Sequence, residues 1–302
     1  MNFKNLKRAF IISEIGVNHN GSYSIACKLI KQSIFAGANA VKFQLYKTES
    51  LTTKNAPKVK YQVTNLNKNE THFEMLKKYE ISKHFLIKII KFCKKNKIKF
   101  LCTPYDVDSA EILIKNKVNI IKTASADLFD HSIHNYLSKQ KKISVIVSTG
   151  MSNLEQVIET ISIYKKNKFN TKNLSILHCV SNYPSKLSSQ NLRSINILKK
   201  LGISIGYSDH TNTNHAAMAS ISLGAKIIEK HFTLNKNLEG PDHLASYDFK
   251  EFKKYIKDIR TTEKVLRNEI KKKQEEENEM FKISVKGTYA NRNLNKNKKL
   301  EK

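Results

Sequence analysis

Acidic residues are scarce in this chain: 26 Asp and Glu stand against 54 Lys and Arg, a formal net charge of +28 over 302 residues. So basic a balance invites nucleic acid as a partner, but the features that would read one are missing. There is no zinc-finger spacing, no aromatic RNA-binding motif and no helix-turn-helix pattern. The lysines are spread over nearly every predicted helix instead of forming a patch, so no specific nucleic-acid binding is expected. The surplus suits anionic small substrates. Cysteines number four (Cys27, Cys93, Cys102, Cys179) and form no CxxC pair. Buried small side chains in a reduced, cytoplasmic compartment fit that usage better than a disulfide framework. No apolar run approaches the ~20 residues of a membrane span, and the opening MNFKNLKRAFIISEIG has too short an apolar run for a signal peptide. A glycine-rich phosphate fingerprint after the first predicted strand is also absent, which counts against a doubly wound sheet.

What is present is organised around Gly206-Tyr207-Ser208-Asp209-His210-Thr211 and its echo Ile228-Glu229-Lys230-His231-Phe232-Thr233. Each stands where a short apolar run ends. Residues 214–223 between them read as a helix, opened by Asn and Thr capping residues and closed by Gly224. Parallel strands joined by a helix end on the same side, so His210 and His231 are expected to converge. Two imidazoles on neighbouring strands suit a divalent metal. They equally suit two histidines that each hydrogen-bond a loop, and both readings stand at this point.

Strand and helix signals alternate along the chain. Strands are predicted at 9–13, 40–44, 99–102, 119–122, 143–147, 174–177, 203–207 and 225–228. Helices are predicted at 24–35, 82–94, 107–115, 131–139, 153–164, 190–200, 214–223 and from 249 to about 267. Eight such pairs are the pattern of a (β/α)8 TIM barrel, which typically needs roughly 250 residues. Residues 46–80 read as a long polar insertion over a site. The charged run at 264–282 is expected to extend the last helix, and 283–302 has too little apolar content to fold alone. This divides the chain into a barrel domain, 1–282, and a short linker, 283–302.

In a barrel the C-terminal strand ends line one mouth, where active sites sit. Those ends carry Glu14; Lys42 and Gln44; Thr103 and Asp106; Lys122, Ser125 and Asp127; Ser148 and Thr149; His178 and Ser181; Ser208, Asp209 and His210; Lys230 and His231. Hydroxyls together with lysines suit a phosphate group. Each hydroxyl taken singly suits a helix cap. Glu14 suits a general base or an ion pair to Lys42.

As a set, SEIGVNHNG (13–21), VKFQ (41–44), CTPYD (102–106), KTASADL (122–128), STGM (148–151), LHCVSNYP (177–184), GYSDHT (206–211), EKHFTL (229–234) and GPDH (240–243) resemble the sialic acid synthase family. The resemblance runs from residue 9 to about 290. It implies a (β/α)8 barrel followed by a small antifreeze-protein-like domain. It also implies condensation of phosphoenolpyruvate with an N-acylated mannosamine-type sugar, a divalent metal (Mn2+ or Mg2+), release of phosphate and a homodimer.

Carried over motif by motif, the resemblance gives His210 and His231 to the metal. Lys42, Thr103, Lys122, Ser125, Ser148 and Ser208 would hold phosphoenolpyruvate, with both lysines in the catalytic set. Glu14 would be the key catalytic carboxylate, and Gln44, Asp127, Tyr183 and Asp242 would serve the sugar. GPDH favours the sialic or legionaminic type over the pseudaminic type. Three departures are evident. Asp127 stands where the family often has glutamate, Ser181 where some members have asparagine, and the tail matches only the start of a link into the antifreeze-like domain. The expectation is a synthase without that cap. The alternative is a non-catalytic remnant that binds phosphoenolpyruvate or a sugar.

Overall fold

The structure, a computed structural model, describes residues 1–58, 70–267, 270–297 and 299. The chain divides into two compact units, Met1–Val265 and Leu266–Lys302. In the first unit eight parallel strands close a barrel in sequence order, β1 to β8. They are Phe10–Gly16, Ala40–Leu45, Lys99–Pro104, Ile120–Thr123, Ser144–Ser148, Leu174–Cys179, Ser204–Asp209 and Ile227–His231. The outer helices are Tyr23–Ala36, Lys83–Lys95, Val107–Lys115, His131–Ser138, Leu154–Lys166, Ser194–Lys199, His215–Ser222 and Phe249–Val265. The TIM-barrel expectation therefore holds.

Strand alternation sorts the barrel into an outer apolar shell and a two-storey interior. Val41, Phe43, Val145, Val147, Ile176, Ile205 and Ile228 point out into the large core beneath the helices. Phe10, Ile12, Ala40, Leu101, Ile120, Ile146, Leu177 and Ile227 point in and form the lower storey, closed from below by Phe3. Two residues further along each strand the interior turns polar. Successive same-face side chains lie two apart on a strand, so Glu14, Lys42, Thr103, Lys122, Ser148, Cys179, Ser208 and Glu229 form the upper storey. Gly206 fits the narrowing between the storeys. A Cβ there would stand 2.4 Å from Leu177 Cδ2 and 2.5 Å from the Ile227 carbonyl oxygen.

The strands run one to three residues beyond the predicted ends, because polar residues that look like loop in the sequence belong to the barrel strands. Within the 46–80 insertion, short helices form at Thr48–Leu51 and His72–Tyr79, while 59–69 lie outside the described residues. The second of these buries Met75 and Tyr79 against Val17, which puts it over the end of β1. The predicted helix at 190–200 is shorter, Ser194–Lys199. The last barrel helix stops at Val265, and the charged run is not one continuous extension. In the second unit the described helical pieces are a turn at Glu275–Glu277 and a helix at Asn278–Ser284, with no buried residue in either. Adjacent Lys271, Lys272 and Lys273 repel one another, and without an apolar face to bury, helix formation there has little driving force.

Gly206→Ala is expected to destabilise the protein by about 1–3 kcal/mol, the usual cost of overpacking a tight core. Urea unfolding checks it, and unchanged stability would contradict the packing described.

Candidate active site

The upper storey places four charges in the barrel interior. Lys42 Nζ lies 3.0 Å from Glu229 Oε2 and 3.4 Å from Glu14 Oε2. Lys122 Nζ lies 3.6 Å from Glu229 Oε1. All four residues are buried. The strand register enforces the adjacency, because Glu14 pairs with Lys42 across β1 and β2, and Ser208 pairs with Glu229 across β7 and β8. Hydroxyls and an amide complete the ring. Lys122 donates to Ser148 Oγ at 2.6 Å, Ser208 Oγ to Glu229 Oε1 at 3.0 Å, and Gln44 Nε2 to Glu14 Oε1 at 3.2 Å.

The two carboxylates are held in different states. Burial disfavours ionisation of both. At Glu229 the two lysines overcome it and hold the carboxyl far below the usual range. At Glu14, burial wins over Lys42, aided by repulsion from Glu229, and the carboxyl is pushed up to about 7. Burial lowers the Lys122 pKa, while Glu14 and Glu229 outweigh burial at Lys42 and raise it. Glu229 is therefore the ionised member of the pair, and Glu14 is the one that takes up a proton as the pH falls through about 7. Below that pH, two lysines face one ionised carboxylate and the storey carries a positive excess.

Beside Lys122 the end of β6 and the loops after β4, β5 and β6 come together. The Gly150 amide donates to Ser125 Oγ at 3.1 Å, and Ser125 Oγ lies 3.2 Å from Cys179 Sγ. A Cβ on Gly150 would stand 2.2 Å from Ser181 Oγ and 2.7 Å from Ser125 Oγ, so a larger residue would have to turn these hydroxyls away. Thr103 Oγ1 and Ser181 Oγ are buried without a hydrogen-bond partner. Donors of this kind beside an ammonium can hold an anion.

Above Ser208 and Glu229 stand the two imidazoles, ring centroids 5.7 Å apart. Tyr183 packs on both, at 4.1 Å from His210 and 5.5 Å from His231. The His210 Nδ1–H donates to the Val180 carbonyl at 2.7 Å, which leaves Nε2 with its lone pair. Burial pushes His210 down to about 4 and His231 well below its usual value, so both rings are neutral at pH 7. Asp242 Oδ2 lies 3.5 Å from His231 Nδ1, but with a neutral ring this is no ion pair, and Nδ1 makes no hydrogen bond.

Neutral, available imidazole nitrogens fit a divalent cation. Among the described residues no group of three or more His, Cys, Asp or Glu is placed to hold one. The protein would thus donate two nitrogens and leave the remaining positions to water or substrate. On the other side, Gly16 at φ 51° lets Glu14, Gln44 and Asp242 approach one another; a Cβ there would meet them at 3.0, 3.2 and 3.6 Å. Burial raises Asp242 to about 6.

The sequence-predicted residues Glu14, Lys42, Gln44, Thr103, Lys122, Ser125, Ser148, Tyr183, Ser208, His210, His231 and Asp242 thus gather at the mouth. Asp127 is turned partly to local work, its Oδ2 accepting from the Ala124 amide at 3.1 Å. Burial outweighs that bond and raises its carboxyl to about 6. Asp106 caps the helix after β3 and Thr149 Oγ1 donates to the Leu177 carbonyl at 3.0 Å, and three further strand-end residues turn to the outer face. On the outer face, the His178 Nε2–H donates to the Gln190 carbonyl at 2.6 Å. Lys230 and Asp209 also point outward and pair with each other at 3.5 Å. The residue that sequence reasoning missed is Glu229. Counting back two from His231 on an alternating strand would have found it, in place of Lys230.

Fold and site together define a (β/α)8-barrel protein whose C-terminal mouth sets a buried lysine–carboxylate layer beneath two neutral imidazoles. The NeuB family model matches residues 29–271, and the chain belongs to the NeuB family. It is 36% identical over 294 residues to an N,N'-diacetyllegionaminic acid synthase of Campylobacter jejuni, covering 96% of this chain and 87% of that one. To a protein of the same name from Legionella pneumophila it is 38% identical over 274 residues, covering 89% and 76%. A crystal structure of N-acetylneuraminic acid (sialic acid) synthetase from Leptospira borgpetersenii, in complex with citrate, superposes with a TM-score of 0.80 at 30% identity, covering 92% and 91%.

The protonation difference is directly measurable. In metal-free protein, the infrared difference between wild type and Glu14→Gln should contain a protonated-carboxyl C=O band that fades with a midpoint of about 7. A band already lost near pH ~5, close to the ordinary glutamate value, would contradict the assignment.

Proposed function

We propose that this chain is a nonulosonate synthase of the sialic or legionaminic type. It condenses phosphoenolpyruvate with an N-acylated mannosamine-type sugar and releases phosphate. The observation that carries the reading is the placement of Lys42 and Lys122, with Thr103, Ser125, Ser148 and Ser208, directly below the His210–His231 pair. An anion held by the lysines would present its carbon end to whatever sits at the imidazoles.

In this reaction C3 of phosphoenolpyruvate bonds to the aldehyde carbon of the open-chain sugar, and water adds at C2. The tetrahedral carbon then expels phosphate as its C–O bond breaks, leaving a 2-keto acid. Lys122, Ser148 and the Gly150–Ser125–Ser181 patch would hold the phosphate, and Lys42 would hold the carboxylate and neutralise Glu14 when it ionises. A divalent cation, Mn2+ or Mg2+, on His210 and His231 would polarise the aldehyde oxygen as a Lewis acid. Glu14, poised about 7, can in its ionised form take a proton from the attacking water and return it to the leaving phosphate, while the second water proton, released as the C2 hydroxyl becomes the ketone, ends on the former aldehyde oxygen. Gln44 and Asp242, gathered around Gly16 beside Glu14, are placed to orient sugar hydroxyls.

Phosphate release is the test. With phosphoenolpyruvate, Mn2+ and a panel of acylated mannosamines, release should depend on both sugar and metal. His210→Ala or His231→Ala should abolish it and weaken Mn2+ binding by about 10-fold or more. Phosphoenolpyruvate binding with no release for any sugar would make the chain a binding protein instead. Full activity after EDTA treatment and gel filtration would remove the metal from the account.

A further inference from the structure

Behind the imidazoles, on the outer face of β7 and β8, lies a second buried charged cluster that the chemistry above does not use. Asp209 and Lys230 are register partners with side chains fully buried between the barrel and the helix Phe249–Val265. Asp209 Oδ2 accepts from the Tyr255 hydroxyl at 2.9 Å. Its Oδ1 accepts from the Thr211 amide and from Thr211 Oγ1, both at 2.8 Å. Lys230 Nζ donates to the Thr211 carbonyl and lies 4.2 Å from the Tyr247 ring centroid. Thr211 is thus gripped at its amide by one member of the ion pair and at its carbonyl by the other. His210 sits between Asp209 and Thr211, facing the opposite way.

We propose that Asp209 and Lys230, braced by Tyr255, are positioning residues that fix the turn carrying His210, so that its ring keeps Nδ1–H on the Val180 carbonyl and aims Nε2 into the barrel. Side-chain alternation supplies the logic. In an extended segment consecutive side chains point to opposite faces, so a grip on residues 209 and 211 from outside determines the attitude of residue 210 inside. The same lysine directly precedes His231, whose carbonyl accepts from the Tyr247 amide at 2.9 Å. One cluster therefore tethers both strand ends and ties them to the last barrel helix. A pair retained only for stability would need no such bidentate hold on a single residue, since a buried ion pair is often replaceable by apolar packing.

The proposal rests on the metal reading only for its consequence, so the test has two arms. Lys230→Met keeps the apolar stem and removes the donor to Thr211; Asp209→Asn keeps an acceptor for the Thr211 amide. Ile259→Val, a buried change on the same helix, serves as a control for loss of stability. In the first arm, 15N NMR of the imidazoles in metal-free protein should show His210 as a fixed Nδ1–H tautomer in wild type and in Ile259→Val. Lys230→Met should average the two tautomers, with Asp209→Asn intermediate. In the second arm, Mn2+ titration followed by electron paramagnetic resonance should show about 10-fold weaker binding in Lys230→Met, the lower range for outer-shell partners of metal ligands, and unchanged binding in Ile259→Val. A His210 tautomer unmoved in a folded Lys230→Met overturns the proposal, as does an equal shift in the control. Wild type that binds no Mn2+ through His210 overturns the metal reading, and the first arm then still decides the clamp.

Discussion

Charge compensation inside a closed barrel is the constraint on which the site depends. Each isolated charge taken out of water costs several kcal/mol, and a buried ion without its partner is worse than no ion at all. Lys42, Lys122 and Glu229 are tolerable together because each lysine has a carboxylate oxygen of Glu229 within 3.6 Å. Glu14 joins them largely by taking up the proton. The barrel geometry makes the arrangement affordable, since register alone sets these side chains side by side and little further ordering is needed. The residual positive charge is then available for an anion, whose desolvation the enclosed storey has already met in part with fixed donors.

Around that layer each neighbour has a defined physical job. The apolar lower storey, sealed by Phe3, keeps water from reaching the charges from below. Gly16 and Gly150 leave room that a Cβ would crowd, one beside two carboxylates and an amide, the other beside hydroxyls. The 240–246 strap is pinned by His243, whose Nδ1 and Nε2 lie 2.7 Å from Thr233 Oγ1 and 3.1 Å from Asn20 Oδ1. Asp242 is thereby delivered over β1 and β8. Glu14, the two lysines and the two imidazoles come from different strands and are brought together by closure of the barrel.

The eight-fold alternation was legible because short apolar runs and capped helices recur with steady spacing, and parallel topology follows from that alone. The site residues were legible as strand-end polar groups. Their direction was harder to read, because the strands run further than their apolar cores. Asp209 and Lys230 look like mouth residues when the strand is taken to end at Tyr207 or Ile228. Once pairing extends to Asp209↔Lys230, alternation sends both outward and brings Glu229 inward. The charged run after Val265 was misleading for another reason: high helix propensity without a buried face does not sustain a long helix. The opposite protonation of Glu14 and Glu229 was out of reach, since it depends on how two lysines divide between them in space.

The most direct measurement is a crystal structure of the protein soaked with phosphoenolpyruvate and Mn2+, with anomalous data collected for the metal. The account predicts a phosphate contacting Lys122, Ser148 and the Gly150 amide, and a manganese peak touching His210 and His231. A phosphate bound away from the lysine layer, or manganese that leaves both imidazoles free, would contradict it.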